Sequence, residues 1–232
     1  MLVDILINII NGQAGAEYLA AMALIILGLL FSLSAHEFAH GYAAYRQGDG
    51  YAKCAGRLTL NPFKHLDPIG TLMLILVGFC WAKPVPIVPA NFKNGKKSML
   101  IVAFAGVLCN LFLAFLLLNI EYFLQYICNV DFFSNIWLLV IKAAVDNIIF
   151  VNLTLCLFNL IPVPPLDGYR IMKEIFISYK NQRIFYNLER YSMIIRVILI
   201  IFISRTGILG ICVGAVDDLL RSLCGLIYGA YI

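Results

Sequence analysis

Charge is scarce in this sequence. Of 232 residues only 13% are Asp, Glu, Lys or Arg, while 62% are hydrophobic and the mean hydropathy is +0.90. Soluble domains average about 25% charged and about 45–50% apolar residues. A chain this short cannot hide so much apolar surface in one water-facing core, so an ordinary soluble domain is excluded and the bilayer becomes part of the solvent. Basic residues are missing altogether before Arg46. A secretory signal needs a basic n-region, so the opening apolar stretch is expected to be retained rather than cleaved. Paired cysteines are missing too. The seven cysteines are odd in number, scattered and without a CxxC pair, which argues against a disulfide framework or a cysteine zinc site. They are expected to serve as small buried hydrophobes. No repeat or low-complexity tract divides the chain, so residues 1–232 are expected to form a single membrane-embedded domain. The net charge of +4 carries no nucleic-acid signal.

What is present is a series of long apolar runs. About 20 predominantly apolar residues cross a bilayer as a helix. Candidate spans are Tyr18–Tyr45, Ser98–Tyr126, Ile136–Ile161, Glu189–Ile203 and Ile208–Ile227. Residues 69–81 are apolar but too short to cross, and Pro68 and Pro84 bracket them, so a re-entrant or interfacial piece is expected there. Residues 1–11 are expected as a short surface helix. The expected fold is all-α and polytopic, with about five transmembrane helices and a short re-entrant or extended element. Lys and Arg gather between Arg46 and Lys97 and again between Arg170 and Arg196. The positive-inside rule puts both segments in the cytoplasm, the connection around Cys128–Asn135 on the opposite side, and the N-terminus outside. Within the first basic segment, Gly56–Leu60 has a strand-like pattern, and the prolines of Trp81–Pro89 predict extended backbone.

Three histidines occur in the whole chain, and two stand four apart in His36-Glu37-Phe38-Ala39-His40. On a helix these imidazoles point the same way and form a chelating pair for zinc. Glu37 projects beside them, where a general base would act. The pair sits at the end of an apolar span, where ionisable groups are costly and point to function. A hydrolytic zinc site wants a third protein ligand. His65, Asp146, Asp167, Asp217 and Asp218 are candidates. Asp167 follows a helix-breaking run, Pro162-Val-Pro164-Pro165-Leu166, on the same side as His40. Spacing alone leaves it equally a metal ligand or the N-cap of the next helix.

At this point the chain resembles the site-two protease family of intramembrane zinc metalloproteases, most closely its small prokaryotic members without a PDZ domain. Four blocks in the family's order carry the likeness. They are His36–Gly41, the Gly56–Gly70 stretch continuing through Gly78–Pro86, Ala105–Asn110, and Asn159–Gly168. The family usually has proline where this chain has Val107. The resemblance implies a zinc ion held by His36, His40 and Asp167, Glu37 as catalytic base, and Asn110 close to the catalytic centre, where its amide would steady substrate or oxyanion. Asn159 matches the motif as a support for the proline turn or as a substrate contact. His65 fits a supporting role outside the metal's ligand set. The implied activity is hydrolysis of peptide bonds within or near transmembrane segments of membrane-anchored proteins, at a site facing the cytoplasm of a prokaryotic cell membrane. The extended Trp81–Pro89 stretch would capture an unwound substrate by strand addition.

Rival classes fit less well. A prenyl-protein type of membrane metallopeptidase would need a distant glutamate ligand, and Glu174 and Glu189 lack the setting. A degenerate, non-catalytic relative would not keep the full residue set, and a transporter would be expected to carry paired charges along several spans. Outside the site, Lys142 and Asp146 suit a helical ion pair, and Asp217 and Asp218 interrupt the last span without an obvious partner.

Overall fold

A computed structural model describes residues 15–67, 83–176 and 182–229. Its elements are α1 (Ala16–Arg46), a single turn α2 (Tyr51–Cys54), α3 (Gly95–Tyr122), α4 (Ile136–Asn159), α5 (Asp167–Phe176), α6 (Gln182–Arg190), α7 (Ser192–Thr206) and α8 (Ile208–Gly229). A π turn, Phe123–Ile127, extends α3. No strand occurs among the described residues. The expected surface helix at 1–11 and the re-entrant piece at 69–81 lie outside the described residues.

Among the described residues, three helices are long and apolar enough to cross a membrane. They are α1 with 31 residues, Gly95–Ile127 with 33, and α4 with 24. The pair α7 and α8, bent by 68°, makes a fourth if taken as one broken span. The bend falls at Gly207, whose φ of 64° lies in the left-handed region that ends helices and favours glycine. The chain is therefore a multi-pass membrane protein with three to four candidate spans among the described residues, against the about five expected from apolar runs alone.

The three long helices pack on one another, and the buried faces of α1 and α3 consist mostly of small and polar residues. On α1 the stripe is Ser32, His36, His40 and Ala44; on α3 it is Ser98, Val102, Gly106, Asn110, Ala114 and Leu118. Both repeat every four residues, the helical period of one face. Large apolar residues point outward, among them Leu27, Phe31, Leu108 and Phe112. Lipid provides no hydrophobic drive between helices, so close approach through small residues and interhelical hydrogen bonds holds them together. Gly28 shows how close: a Cβ there would collide with the Ile148 side chain on α4. Farther along, Leu118, Ile149, Leu153, Val213 and Cys224 make an apolar cluster where α3, α4 and α8 meet.

The loop after α1 departs from one expectation. Gly56–Leu60 is irregular rather than strand-like. Its shape comes from side-chain anchors, with no partner strand among the described residues. Arg57 donates from Nη2 to the carbonyl of Lys83 at 2.9 Å, and its guanidinium also reaches the carbonyl of Lys64. Of the stretch expected to be extended, residues 83–88 carry no regular secondary structure and Val88 is extended, while residues 81 and 82 lie outside the described residues.

Candidate metal centre

His36 and His40 lie one turn apart near the end of α1, both buried. Asp167 opens α5, just past the break that ends α4 at Asn159. The turn folds back tightly, because Gly168 packs against the carbonyls of Leu160 and Ile161 where a Cβ would not fit. That fold-back delivers the Asp167 carboxylate to the two imidazoles. His40 Nε2 stands 3.0 Å from Asp167 Oδ2, His36 Nε2 stands 3.2 Å from the same oxygen, and the two Nε2 atoms are 3.0 Å apart. These residues are the group of potential ligands found together among the described residues.

The donor chemistry of this triangle identifies what it suits. His40 Nδ1 lies 2.7 Å from the Val102 carbonyl, which can only accept, so Nδ1 carries the proton and Nε2 presents a lone pair. His36 Nδ1 lies 2.6 Å from Asn110 Oδ1 and donates there in the same way. Two lone pairs and a carboxylate oxygen then face one another in a buried space and require positive charge between them. A metal cation supplies that charge without a proton. Tetrahedral zinc with ligands about 2.0–2.1 Å away sets its ligand atoms roughly 3.3–3.4 Å apart, close to the separations seen here. Gly106 completes the cradle: a Cβ on it would come within 2.6 Å of His36 Cε1 and 2.7 Å of His40 Cε1.

Glu37 is half-buried beside the pair, and its Oε2 accepts a 2.8 Å hydrogen bond from the Val85 backbone N–H. Val85 sits between Pro84 and Pro86, neither of which has an N–H to give. The segment 83–88 thus reaches the site through the Val85 N–H. Its far end is held by Asp49, which is fully buried and accepts from Val88 N at 2.7 Å, Asn91 Nδ2 at 2.8 Å and Tyr51 N at 3.1 Å. Burial works against the Asp49 carboxylate, but these donors outweigh it and hold its carboxyl below the ordinary value.

Asn110 lies behind His36 rather than in the open. Its amide nitrogen donates to Asn152 Oδ1 at 2.9 Å, with the Ser32 carbonyl 3.5 Å away, and no part of it is exposed. Nδ2 thus faces Asn152 and Ser32, with Oδ1 towards His36. Asn159 donates to the Leu155 carbonyl one turn back at 2.9 Å. His65 is buried outside the metal group, its Nε2 donating to the Thr59 carbonyl at 2.8 Å. Arg170 lies 3.6 Å from the second carboxylate oxygen of Asp167.

Of the other candidate acids, Asp146 and Asp217 belong to a separate network. Lys142 pairs with Asp146 at 3.1 Å, the expected helical pair, and with buried Glu121 at 2.5 Å. Arg221 joins Asp146 to Asp217, each at 2.9 Å, so Asp217 has the partner the sequence did not reveal. Asp218 is exposed. The sequence reading also passed over Asp49 and Asn152. A polar side chain inside an apolar span was the available signal for Asn152; nothing comparable marked Asp49 in its loop.

Comparison with known proteins finds similar zinc metalloproteases. The sequence model of peptidase family M50 matches residues 127–203, which include Asp167. YwhC of Bacillus subtilis strain 168, named as a zinc metalloprotease, is 37% identical over 198 residues, covering 82% of this chain and 84% of YwhC. Rip2 of Mycolicibacterium smegmatis, also named as a zinc metalloprotease, is 31% identical over 190 residues, covering 80% of this chain and 69% of Rip2. Rip2 of Mycobacterium tuberculosis strain Erdman is 29% identical, with 82% and 71% covered. No solved structure is a significant match.

Proposed function

The chain belongs to peptidase family M50, the site-two protease family of zinc metalloproteases, and on that footing we propose that it cleaves membrane-anchored proteins within or near their transmembrane segments. The observation that carries this is the buried triangle of His36 Nε2, His40 Nε2 and Asp167 Oδ2, set among helices long enough to span a bilayer. We assign those three residues as zinc ligands and Glu37 as the general base.

When bound, zinc polarises a carbonyl and lowers the pKa of water towards about 7. The residues of the chain do the rest. Glu37 Oε1, the oxygen not engaged by Val85, takes a proton from the attacking water and later gives it to the leaving amine. The Val85 N–H holds that carboxylate towards the site. Segment 83–88, anchored by Arg57 and Asp49, offers backbone along which an unwound substrate can lie by strand addition. Val102 and Asn110 keep both imidazoles turned inward.

The wider assignment follows the charge pattern. One domain of 232 residues crosses a prokaryotic cell membrane about five times, counting α7 and α8 separately, with the basic segments and the site towards the cytoplasm. The partners are the bilayer and a single-span or similarly anchored protein substrate. The test compares membrane proteomes and new N-termini in cells carrying wild-type protein or Glu37→Gln. Loss of specific cleavage products, with an intact membrane-anchored protein accumulating, is expected. Matching proteomes under several growth stresses would overturn the assignment.

A further inference from the structure

We propose that Asn152 on α4 is a positioning residue that locks His36 in the tautomer able to bind a metal, acting through Asn110. The inference rests on the zinc-site reading above. It starts from two acceptors that fix which way Asn152 points. Its Nδ2 lies 2.8 Å from the Ile148 carbonyl and 2.8 Å from Ser32 Oγ. The carbonyl can only accept. The Ser32 hydroxyl already spends its proton on the Gly28 carbonyl at 2.7 Å, so towards Asn152 it accepts as well. Both N–H groups of Asn152 are thereby committed, and its Oδ1 must face Asn110.

The next link follows from that orientation. Facing an oxygen, Asn110 presents Nδ2 at 2.9 Å, which turns its own Oδ1 towards His36. His36 Nδ1, 2.6 Å away, must donate, and Nε2 is left as a lone pair facing Asp167. The opposite tautomer would put a proton on Nε2 and block coordination there. Asn152, Asn110 and Ser32 are each at most 1% exposed, so water does not offer a substitute partner. His40 needs no such relay, because a main-chain carbonyl orders it directly. The two ligands of the helical pair are thus held by different means, one by backbone and one by a pair of amides bridging three helices.

The test uses the full chain in detergent micelles, labelled with ¹⁵N-histidine, which gives three ring systems to assign. Zinc affinity is read by competition with a chelator, and the tautomer of His36 by the ¹⁵N shifts of the metal-free protein. Asn152→Leu is expected to weaken zinc binding roughly 10–100-fold, the usual cost of losing a group that orients a ligand. It should also mix the His36 tautomers while leaving His40 unchanged. Asn152→Ala, which removes the same acceptor without bulk, should do the same and stands in if Asn152→Leu does not fold. In an Asn110→Asp background a carboxylate accepts from His36 Nδ1 whichever way it turns, so adding Asn152→Leu should cost nothing further. A purely structural Asn152 predicts the contrary pattern: lower thermal stability, wild-type zinc affinity and an unshifted His36. That result overturns the relay and leaves the zinc site standing. If wild type itself binds no zinc, the underlying reading fails instead, and the tautomer shift still decides whether Asn152 acts on His36.

Discussion

At the scale of single residues, the site is built by exclusion as much as by attraction. Gly106 is placed where any side chain would press on both imidazoles, so Gly106→Ala should lower zinc affinity by about tenfold or more while the helices stay assembled. Chelator competition and circular dichroism on the same sample would check both parts. An Ala variant with wild-type affinity would show that the imidazoles have room the contacts deny. The His36, Glu37 and His40 cluster was plain in the sequence, because four-residue spacing on one helix face is a local signal. The choice of Asp167 needed the family likeness, since a carboxylate after three prolines serves equally well as a cap. Asn152 was invisible as a partner of Asn110. Its bond joins helices 42 residues apart in sequence, and no periodicity records such a pairing. Asn110 was expected near the centre, its amide steadying substrate or oxyanion; its Oδ1 lies 2.6 Å from His36 Nδ1 and its Nδ2 2.9 Å from Asn152 Oδ1.

At the scale of elements, long apolar runs predicted α1, α3 and α4 well, because a span of more than twenty apolar residues has few alternatives. The loop over 47–67 and 83–94 was harder to read. Its alternating pattern suggested a strand, yet its conformation is set by Arg57 and Asp49, two charged groups that bind backbone rather than follow a period. Asp49 makes that dependence measurable. Its folded-state pKa lies below its unfolded value, so its ionised form stabilises the fold above about pH 4, and this contribution fades as pH falls through the folded pKa. Asp49→Asn should therefore be less stable than wild type by roughly 1.5–3 kcal/mol between pH 5 and 7, with the gap closing at more acidic pH. Unfolding temperatures of both proteins across that range would check it. A gap that stays constant down to pH 3 would mean the charge on Asp49 plays no part. Elsewhere α5 is fastened to α6 by the buried Tyr169, whose hydroxyl donates to the Phe185 carbonyl at 3.1 Å. Burial, with Glu189 nearby, pushes that phenol up to about 12, so it stays a donor through neutral pH.

At the scale of the whole molecule, two polar centres occupy opposite ends of one helical core. Glu121 lies eleven residues beyond Asn110 on α3, about 16 Å by helical rise, and there Lys142, Asp146, Asp217 and Arg221 tie α8 to α3 and α4. Removing the charge of Arg221 would leave three carboxylates against one lysine in a partly buried setting. Arg221→Met should cost on the order of 3 kcal/mol. Zinc bound per folded molecule should not change, because the metal centre is remote from that network. A loss of zinc alongside the loss of stability would show that the two ends are coupled. The proposed activity has this fold present a zinc-dependent base to peptide bonds inside the membrane. It is tested most directly by reconstituting the purified chain in lipid vesicles with single-span proteins and locating each cut by mass spectrometry. Cuts within or beside the apolar span should require zinc, vanish with Glu37→Gln although that variant retains its metal, and return when zinc is restored to chelated wild type. Equal cleavage by Glu37→Gln, or cuts confined to soluble regions far from the span, would contradict that proposal.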